Sequence, residues 1–425
     1  MYSILNKKDS LTRKLPVSSS ALFMISSMVV NGGNYFYNIW LGRKLGPVDF
    51  SEAGLLLTFL LVLSFAGMTF QLIASKFIIE LEHNYRKWFV TGINKIAVYS
   101  GIFLSVILII FSGQIRHFFH LQSQWSVVLF ALAVPVYFLL SAERGYEQGS
   151  QQFSRLSVSY QIEIWSKFVT TIMLLYILRD LTGIAIATSI LLSVFISKYF
   201  RRSNFPSEES IAIKLPKKLI RRILFFGAFT LGYELVQILI NYGDLLIVKH
   251  YFDEYTAGLY TSLALTGRII YFITWMMVMV AIPTILNKRK NGESYKSLML
   301  SYVLAISCIS GAIVLLSYLF PIQAINLLFG GEYLSFAPLL WKYALATAFF
   351  ALANLFIYYF ISTDTYWPVT IAALAIAVQG VLFLYNHEDI WSIVHIQMSC
   401  MAVLLAIQVA IYIIKEFFQR SSPPD

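Results

Sequence analysis

Long apolar stretches recur along the whole chain and are separated by short polar segments. A helix crosses the roughly 30 Å hydrocarbon core of a bilayer with about 20 apolar residues, so each stretch predicts a membrane-spanning helix. Little sequence remains for a water-soluble domain, and the predicted fold class is an all-α integral membrane protein. Twelve segments qualify: 18–41, 53–75, 93–113, 125–142, 158–178, 182–200, 223–248, 257–283, 297–319, 338–361, 367–385 and 390–414.

The composition agrees with this prediction. Of 425 residues, 58% are hydrophobic and only 13% are charged, which is about half the usual charged share. The first apolar run continues to about Leu41 with no evident small-residue cleavage site, which favours a retained span over a signal peptide. Cys308 and Cys400 both lie in apolar stretches, so we expect small packing residues and no disulfide framework.

The net charge of +10 is distributed unevenly along the predicted topology. If the N-terminus is cytoplasmic, the inner segments carry 24 basic residues and the outer loops carry five: Arg43, Lys44, Arg116, Arg179 and Lys249. This asymmetry is typical of cytoplasmic loops. It predicts a multi-pass membrane protein with both termini in the cytoplasm, and it explains the basic charge without nucleic acid.

The longest polar segment, "RRSNFPSEESIAIKLPKKLIRR", divides the chain near its middle. We interpret residues 203–222 as a cytoplasmic linker between an N-terminal six-helix bundle, 1–202, and a C-terminal six-helix bundle, 223–425. The basic cluster either contacts anionic membrane lipid or serves topology alone.

The two predicted halves resemble each other at one place. "WLGRKLGPVDFSEAGLL" and "IVKHYFDEYTAGLY" share a basic residue, an acidic residue with an aromatic neighbour, and Ala-Gly-Leu. Because each half has an even number of spans, the halves would be related by a pseudo-two-fold axis along the membrane normal, and a substrate site would lie between them. The matched pairs are Lys44 with Lys249, Asp49 with Glu254, Phe50 with Tyr255, and Gly54 with Gly258.

Two predicted spans carry polar residues at helical spacing, which places each set on one face. The sets are Asn31, Asn34 and Asn38 in span one, and Glu234, Gln237, Asn241 and Asp244 in span seven. Polar groups that face lipid are costly. Each stripe therefore either lines a cavity or makes hydrogen bonds between helices.

Charged residues inside spans are further candidates. Arg268 lies about 11 residues inside span eight, or roughly 16 Å deep. It either faces a water-filled cavity and binds an anion, or pairs with a carboxylate on another span. Glu163 and Lys167 are four residues apart, which favours a pair on one face. Glu234, Asp244 and Glu163 are candidates for exchanging a coupling proton or sodium ion.

Several enzyme signatures are missing from the sequence. It has no Walker-type phosphate loop, no His-Glu-x-x-His helix, no Cys/His cluster with metal-ligand spacing and no Gly-x-Ser-x-Gly elbow. The predicted outer loops are short, whereas an enzyme acting on extracellular sugars is expected to have a larger outer domain. We therefore expect that the protein is not an enzyme and that it has no cofactor and no metal site.

Four motifs carry a family likeness: "NIWLGRKLGPVDFSEAGLL", "ERGYEQGSQQFSRLS", "DLLIVKHYFDEYTAGLYTSLALTGRIIYF" and "LLFGGEYLSFAPLL". They resemble the polysaccharide transporter family, the flippases of lipid-linked oligosaccharides, within the multidrug, oligosaccharidyl-lipid and polysaccharide exporter superfamily. The resemblance implies two six-helix bundles around a cationic cavity. It also implies a bacterial cytoplasmic (inner) membrane, in which an undecaprenyl-pyrophosphate-linked sugar unit moves from the inner to the outer leaflet for a surface polysaccharide such as O-antigen or capsule.

In this reading the cationic residues Arg268, Lys167, Arg43 and Lys249 bind the substrate. Arg268 matches an arginine that lies in the central cavity of related lipid II flippases, although this chain lacks two C-terminal spans of those relatives. We expect a monomer whose partners are the lipid-linked oligosaccharide, membrane lipid and a polysaccharide polymerase. The alternatives are an ion-coupled drug or metabolite exporter of the same superfamily, which Glu234 and Asp244 keep open, and a membrane polysaccharide polymerase.

Overall fold

The structure, a computed structural model, is all-helical over the residues it describes, which are 19–178, 181–200, 215–290, 294–362, 365 and 367–418. The helices are α1 (Ser19–Glu80), α2 (His83–Ile110), α3 (Ser112–Phe118), α4 (Gln124–Gly149), α5 (Phe153–Ile177), α6 (Thr182–Phe200), α7 (Lys217–Tyr251), α8 (Glu254–Gly267), α9 (Ile269–Lys290), α10 (Lys296–Leu319), α11 (Pro321–Leu328), a 3-10 helix (Gly331–Leu339), α12 (Leu340–Ser362), α13 (Trp367–Tyr385) and α14 (Ile390–Phe418).

The predicted spans coincide with these helices. Within the described part of the chain, nine helices are long and apolar enough to cross a membrane. One of them, α1, holds the first two predicted spans, and the eighth predicted span is divided into α8 and α9 at Arg268. The all-α membrane fold predicted from the apolar pattern is confirmed.

The predicted loop between spans one and two is instead a sharp bend inside α1. Gly46 has a positive φ of 71°, and Pro47 follows it. Glycine tolerates this left-handed geometry, and proline suits the first position of a new helix. Phe23 near one end of α1 packs against Phe153, while Glu80 at the other end pairs with Arg222 beside the start of α7. Helix α1 is therefore a hairpin with two membrane-spanning arms.

Two six-helix bundles follow from this arrangement. The N-terminal bundle contains both arms of α1 with α2, α4, α5 and α6, and the C-terminal bundle contains α7, α8 with α9, α10, α12, α13 and α14. We call the side where α1 ends and α7 begins the basic end, and the side of Gly46 the opposite end. The division into residues 1–202, 203–222 and 223–425 stays a prediction. Residues 203–214 of the predicted linker lie outside the described residues.

The two bundles meet extensively at the opposite end. The second arm of α1 crosses α8 so closely that a Cβ atom at Gly258 would lie 1.8 Å from the carbonyl oxygen of Pro47. A Cβ at Gly54 would lie 2.6 Å from Thr261. The predicted sequence pair Gly54 and Gly258 therefore occupies one crossing between the halves, as a pseudo-two-fold arrangement would place it.

Polar contacts reinforce the opposite end. The hydroxyl of Tyr333 donates to the Gly42 carbonyl at 2.6 Å, and Lys249 donates to Ser51 at 2.9 Å. His250 stacks on Phe118 with ring centroids 3.7 Å apart. At the basic end, the described contacts between the halves come from the end of α1 and the start of α7, including Lys76 over the Phe226 ring. The bundles are thus in contact at both ends, and the closest backbone approach between them is at the opposite end.

Candidate functional site

Arg268 occupies the break between α8 and α9, where it is 3% exposed. Its Nη2 donates to both oxygens of Asp244 on α7, at 3.0 and 3.3 Å. The guanidinium also lies over the Tyr242 ring, 4.5 Å from its centroid. Of the two readings that the sequence allowed, the structure contains the ion pair with a carboxylate of another span.

The carboxylate of Asp244 is fully buried and collects three side-chain donors. In addition to Arg268, the hydroxyls of Tyr260 and Tyr343 each donate to its Oδ2 at 2.7 Å. A buried charge is tolerated only when it is paired and hydrogen-bonded. The Nε of Arg268 is buried and has no hydrogen-bond partner within the described residues. The pair is therefore neutral overall, and the Nε donor of Arg268 is unused within the described residues.

The rest of the span-seven stripe divides into two groups. Gln237 donates to Asn354 of α12 at 2.6 Å, and Asn241 donates to the Gln237 carbonyl at 2.9 Å. Gln237 thus links α7 to α12, which was the alternative to lining a cavity, whereas the Asn241 bond lies within α7. Glu234 is 5% exposed. The described part of the chain gives it neither an ion-pair partner nor a hydrogen-bond donor.

Lys167 of α5 is 5% exposed and lies against the first arm of α1. Its Nζ donates to Asn34 Oδ1 at 2.9 Å and lies 4.9 Å from the Tyr37 ring centroid. No carboxylate of the described residues lies at ion-pair distance from it. Asn38 donates back to the Asn34 carbonyl at 2.8 Å, and Asn31 is exposed. Lys167 is thus a membrane-buried cation held by an amide and a ring.

The predicted pair of Glu163 and Lys167 was wrong, because Glu163 pairs with Arg144 of α4 at 2.6 Å. Arg144 lies just beyond the predicted span 125–142, where the predicted topology places it among the cytoplasmic basic residues, whereas the structure buries it to 1% exposure. It also donates to Ser159 and lies over the Tyr160 ring, 4.1 Å from its centroid. This pairing leaves Lys167 without the acid that the sequence spacing assigned to it.

Arg43 and Lys249 lie elsewhere, at the contact between the halves. Arg43 is exposed and donates through Nε to the Leu328 carbonyl at 2.8 Å, which caps the end of α11. Lys249 is 3% exposed, and besides Ser51 it lies near the carboxylates of Glu52 and Glu254. Neither shares a contact with Lys167 or Arg268, so the structure does not gather the four predicted cations into one cluster.

The family of the chain follows from a comparison over most of its length. The polysaccharide biosynthesis protein family matches residues 40–338, which include the hairpin bend, Lys167, Asp244 and Arg268. The chain belongs to this family. The membership confirms the relationship that the sequence motifs indicated. No curated protein sequence matches the chain.

Solved structures show the same fold for this polysaccharide biosynthesis family member. An inward-facing multidrug resistance MATE family transporter of the MOP superfamily aligns with a TM-score of 0.75 at 12% identity, covering 95% of this chain and 100% of that one. A MATE structure in the straight conformation gives 0.65 at 12% identity, covering 94% and 95%. A eukaryotic MATE transporter gives 0.56 at 16% identity, covering 92% and 94%. At these identities the likeness concerns the fold alone.

Sequence reasoning missed several polar partners in this family member. Tyr260, Tyr343 and Asn354 complete the Asp244 and Gln237 clusters. Tyr343 and Asn354 lie about 100 residues away in α12, and nothing in the local pattern links them to α7. Tyr260 lies two turns before Arg268, so its helical spacing was the one usable signal. The described residues contain no group of three or more His, Cys, Asp or Glu residues that could hold a metal ion.

Proposed function

We propose that the protein is a flippase that moves a lipid-linked oligosaccharide, with an undecaprenyl-pyrophosphate head, from the inner to the outer leaflet. Family membership and a transporter fold support movement of a polysaccharide precursor across a membrane. The observation that carries the choice of an anionic substrate is Lys167. Its ammonium is buried in a span, no carboxylate of the described residues lies at ion-pair distance from it, and such a group favours a negatively charged ligand. A pyrophosphate head supplies that charge.

Arg268 contributes a second phosphate contact in this proposal. Its guanidinium offers planar donors that match phosphate oxygens, and Nε is unused. Asp244 already occupies Nη2, so a bound pyrophosphate would compete with this carboxylate for the arginine. Release of phosphate would restore the internal pair, which favours turnover over permanent binding. Gln237 acts as a structural link between α7 and α12 in this scheme.

Orientation and access complete the proposal. Basic residues concentrate at the basic end, which we assign to the cytoplasm. The contacts between the bundles at Gly42, Ser51 and Gly258 then close the outer side, so the substrate would enter from the inner leaflet. Rocking of one bundle against the other would open these contacts and release the substrate outside.

Replacing Lys167 tests the substrate class. We expect Lys167→Gln to lower the flipping rate about 10- to 150-fold, because the loss of a charge-assisted hydrogen bond costs roughly 1.5–3 kcal/mol. Lys167→Arg should retain a substantial part of the activity. The measurement is the amount of lipid-linked sugar units retained on the inner leaflet, together with surface glycan and the level of the protein in the membrane.

The control for this test is Lys342→Gln, which removes a lysine that instead contacts His395 at 2.7 Å. It should leave flipping near the wild-type rate. If the Lys167→Gln variant makes normal surface glycan at a normal protein level, Lys167 does not bind the substrate, and the argument for an anionic substrate fails.

Cysteine labelling tests the orientation. In a background without Cys308 and Cys400, single cysteines at Ser123 and Ser335 should react with an impermeant thiol reagent added outside intact cells. Both positions lie at the opposite end, beside α4 and within the 3-10 helix. A cysteine at Ser210, which lies outside the described residues, should react only after the cells are opened. Labelling at Ser210 in intact cells would invert the assignment.

A second candidate is an ion-coupled drug or metabolite exporter, and the buried Glu234 favours it. An unpaired carboxylate in a span can bind a proton, a sodium ion or a cationic substrate. The two candidates are distinguished by measuring transport driven by imposed ion gradients in vesicles, for the wild type and for the Glu234→Gln variant. An exporter should lose gradient-driven transport of cationic drugs, whereas the proposed flippase should show no such drug transport even before the substitution.

A further inference from the structure

A separate cavity of about 530 Å³ lies on the flank of the N-terminal bundle, close to the basic end. It is bounded by the ends of α1 and α4 and by one face of α2, on which Lys87, Thr91, Lys95 and Tyr99 recur at four-residue spacing. Neither Lys167 nor Arg268 belongs to it. Its lining residues are Ile78, Arg86, Lys87, Val90, Thr91, Asn94, Lys95, Val98, Tyr99, Leu139, Tyr146 and Ser150.

The chemistry of this cavity changes along the membrane normal. Arg86 and Lys87 lie in the first turns of α2, and Val98 and Tyr99 lie deeper. From Lys87 to Tyr99 is a rise of about 18 Å along the helix. Beside the deep part, Tyr99 and Phe103 are 68% and 69% exposed, as expected of side chains that face lipid tails. The lining has three basic residues and no acidic one, so it matches an amphiphile with an anionic head.

Lys95 is the residue that needs such a ligand. It lies in a predicted span, about 12 Å deeper along α2 than Lys87, and its side chain is exposed on the flank of the bundle. The described residues provide it with no carboxylate and no hydrogen-bond acceptor. An exposed ammonium near the end of a span, where anionic head groups lie, favours an anionic partner. Asn94 beside it has a buried Oδ1 that accepts no hydrogen bond from the described residues.

We infer that this cavity is a binding site for an anionic phospholipid of the leaflet at the basic end. Its phosphate lies between Lys95, Arg86 and Lys87, and an acyl chain follows Val98, Tyr99 and Leu139. The Nε of Arg86 donates to the Leu81 carbonyl at 3.1 Å, which positions the guanidinium at the cavity. Phosphatidylglycerol is such a lipid, and Asn94 lies beside its head group in this arrangement. This site is independent of the transport reaction proposed above.

Native mass spectrometry of the purified full chain in detergent tests the inference with phosphatidylglycerol and phosphatidylcholine of identical acyl chains. Phosphatidylglycerol should bind more tightly, and Lys95→Gln should weaken it about fivefold, since each basic residue near a membrane surface contributes about 1 kcal/mol. The triple variant Arg86→Gln/Lys87→Gln/Lys95→Gln should abolish the preference. Lys95→Arg should retain it.

The matched control removes three exposed charges from the same end, at the start of α7, as Lys217→Gln/Lys218→Gln/Arg221→Gln. It should keep the preference, and equal melting temperatures in detergent show that the variants are folded.

The inference fails if the control loses the preference as fully as the cavity triple, or if Lys95→Gln binds phosphatidylglycerol like the wild type. It also fails if undecaprenyl phosphate binds while phosphatidylglycerol does not, because the cavity would then be a substrate-entry site. Displacement by millimolar inorganic phosphate would show that no acyl chain is recognised.

Discussion

An Asp244→Ala protein is expected to lose about 3–5 kcal/mol of stability, because it leaves the charge of Arg268 buried and unpaired. The same substitution removes the carboxylate that accepts hydrogen bonds from the hydroxyls of Tyr260 and Tyr343. Since whole domains are stable by only about 5–15 kcal/mol, much of the protein should fail to accumulate in the membrane. Thermal unfolding in detergent and the level of membrane-inserted protein measure the effect.

A double-substitution cycle isolates the ion pair. Asp244→Asn keeps the side-chain volume and an acceptor, and Arg268→Gln removes the cation, so each single change leaves one charge unpaired. The double variant Asp244→Asn/Arg268→Gln should be more stable than the sum of the two losses predicts, because no buried charge remains. Additive losses, or a wild-type melting temperature for Asp244→Ala, would contradict the structural role of the pair.

Gly258→Ala is expected to open the contact between the two bundles at the opposite end. The added Cβ would lie 1.8 Å from the Pro47 carbonyl oxygen, and that backbone atom cannot rotate away. Overpacking of this kind costs about 1–3 kcal/mol. Because this crossing joins the two bundles, the added methyl group destabilises the arrangement in which the crossing is closed relative to the one in which it is open. A shift of about 2 kcal/mol changes the ratio of closed to open molecules roughly 30-fold.

Thiol accessibility measures this shift. Ser51 is 2% exposed and lies at the same contact, so a cysteine placed there in a background without Cys308 and Cys400 should react at least tenfold faster in the Gly258→Ala protein. The control is Gly243→Ala, because a Cβ on Gly243 would meet no atom within 4 Å. Equal labelling of the two alanine variants would show that the crossing tolerates the methyl group.

Most of the fold was predictable from the apolar pattern. Every predicted span falls on an observed helix because burial of apolar surface in lipid depends on local length and composition. The bend at Gly46 was predicted as a loop, since the sequence marks a break there without showing that helical structure continues to both sides of it. The glycines at positions 54 and 258 were matched by sequence, and the structure placed both at one crossing.

The candidate site was predictable only as a set of residues. Charged and polar residues in apolar spans are conspicuous because they are costly there, and Lys167, Glu234, Asp244 and Arg268 were found on that basis. Their partners were not predictable. Helical spacing paired Glu163 with Lys167, whereas α4 supplies Arg144 from a neighbouring helix at 2.6 Å. A contact along one helix competes with contacts across helices, and packing decides between them.

The sequence by itself determined that this chain crosses a membrane as helices, which end carries the basic residues, and which side chains are too polar for lipid. These properties depend on composition and on distances along one helix. Only the tertiary structure decided that Arg268 is neutralised by Asp244 while Lys167 has no acid at ion-pair distance within the described residues. The physical reason is that ion pairing needs atoms within a few ångströms of each other. Side chains on different helices reach that distance only when the helices of each bundle are packed together.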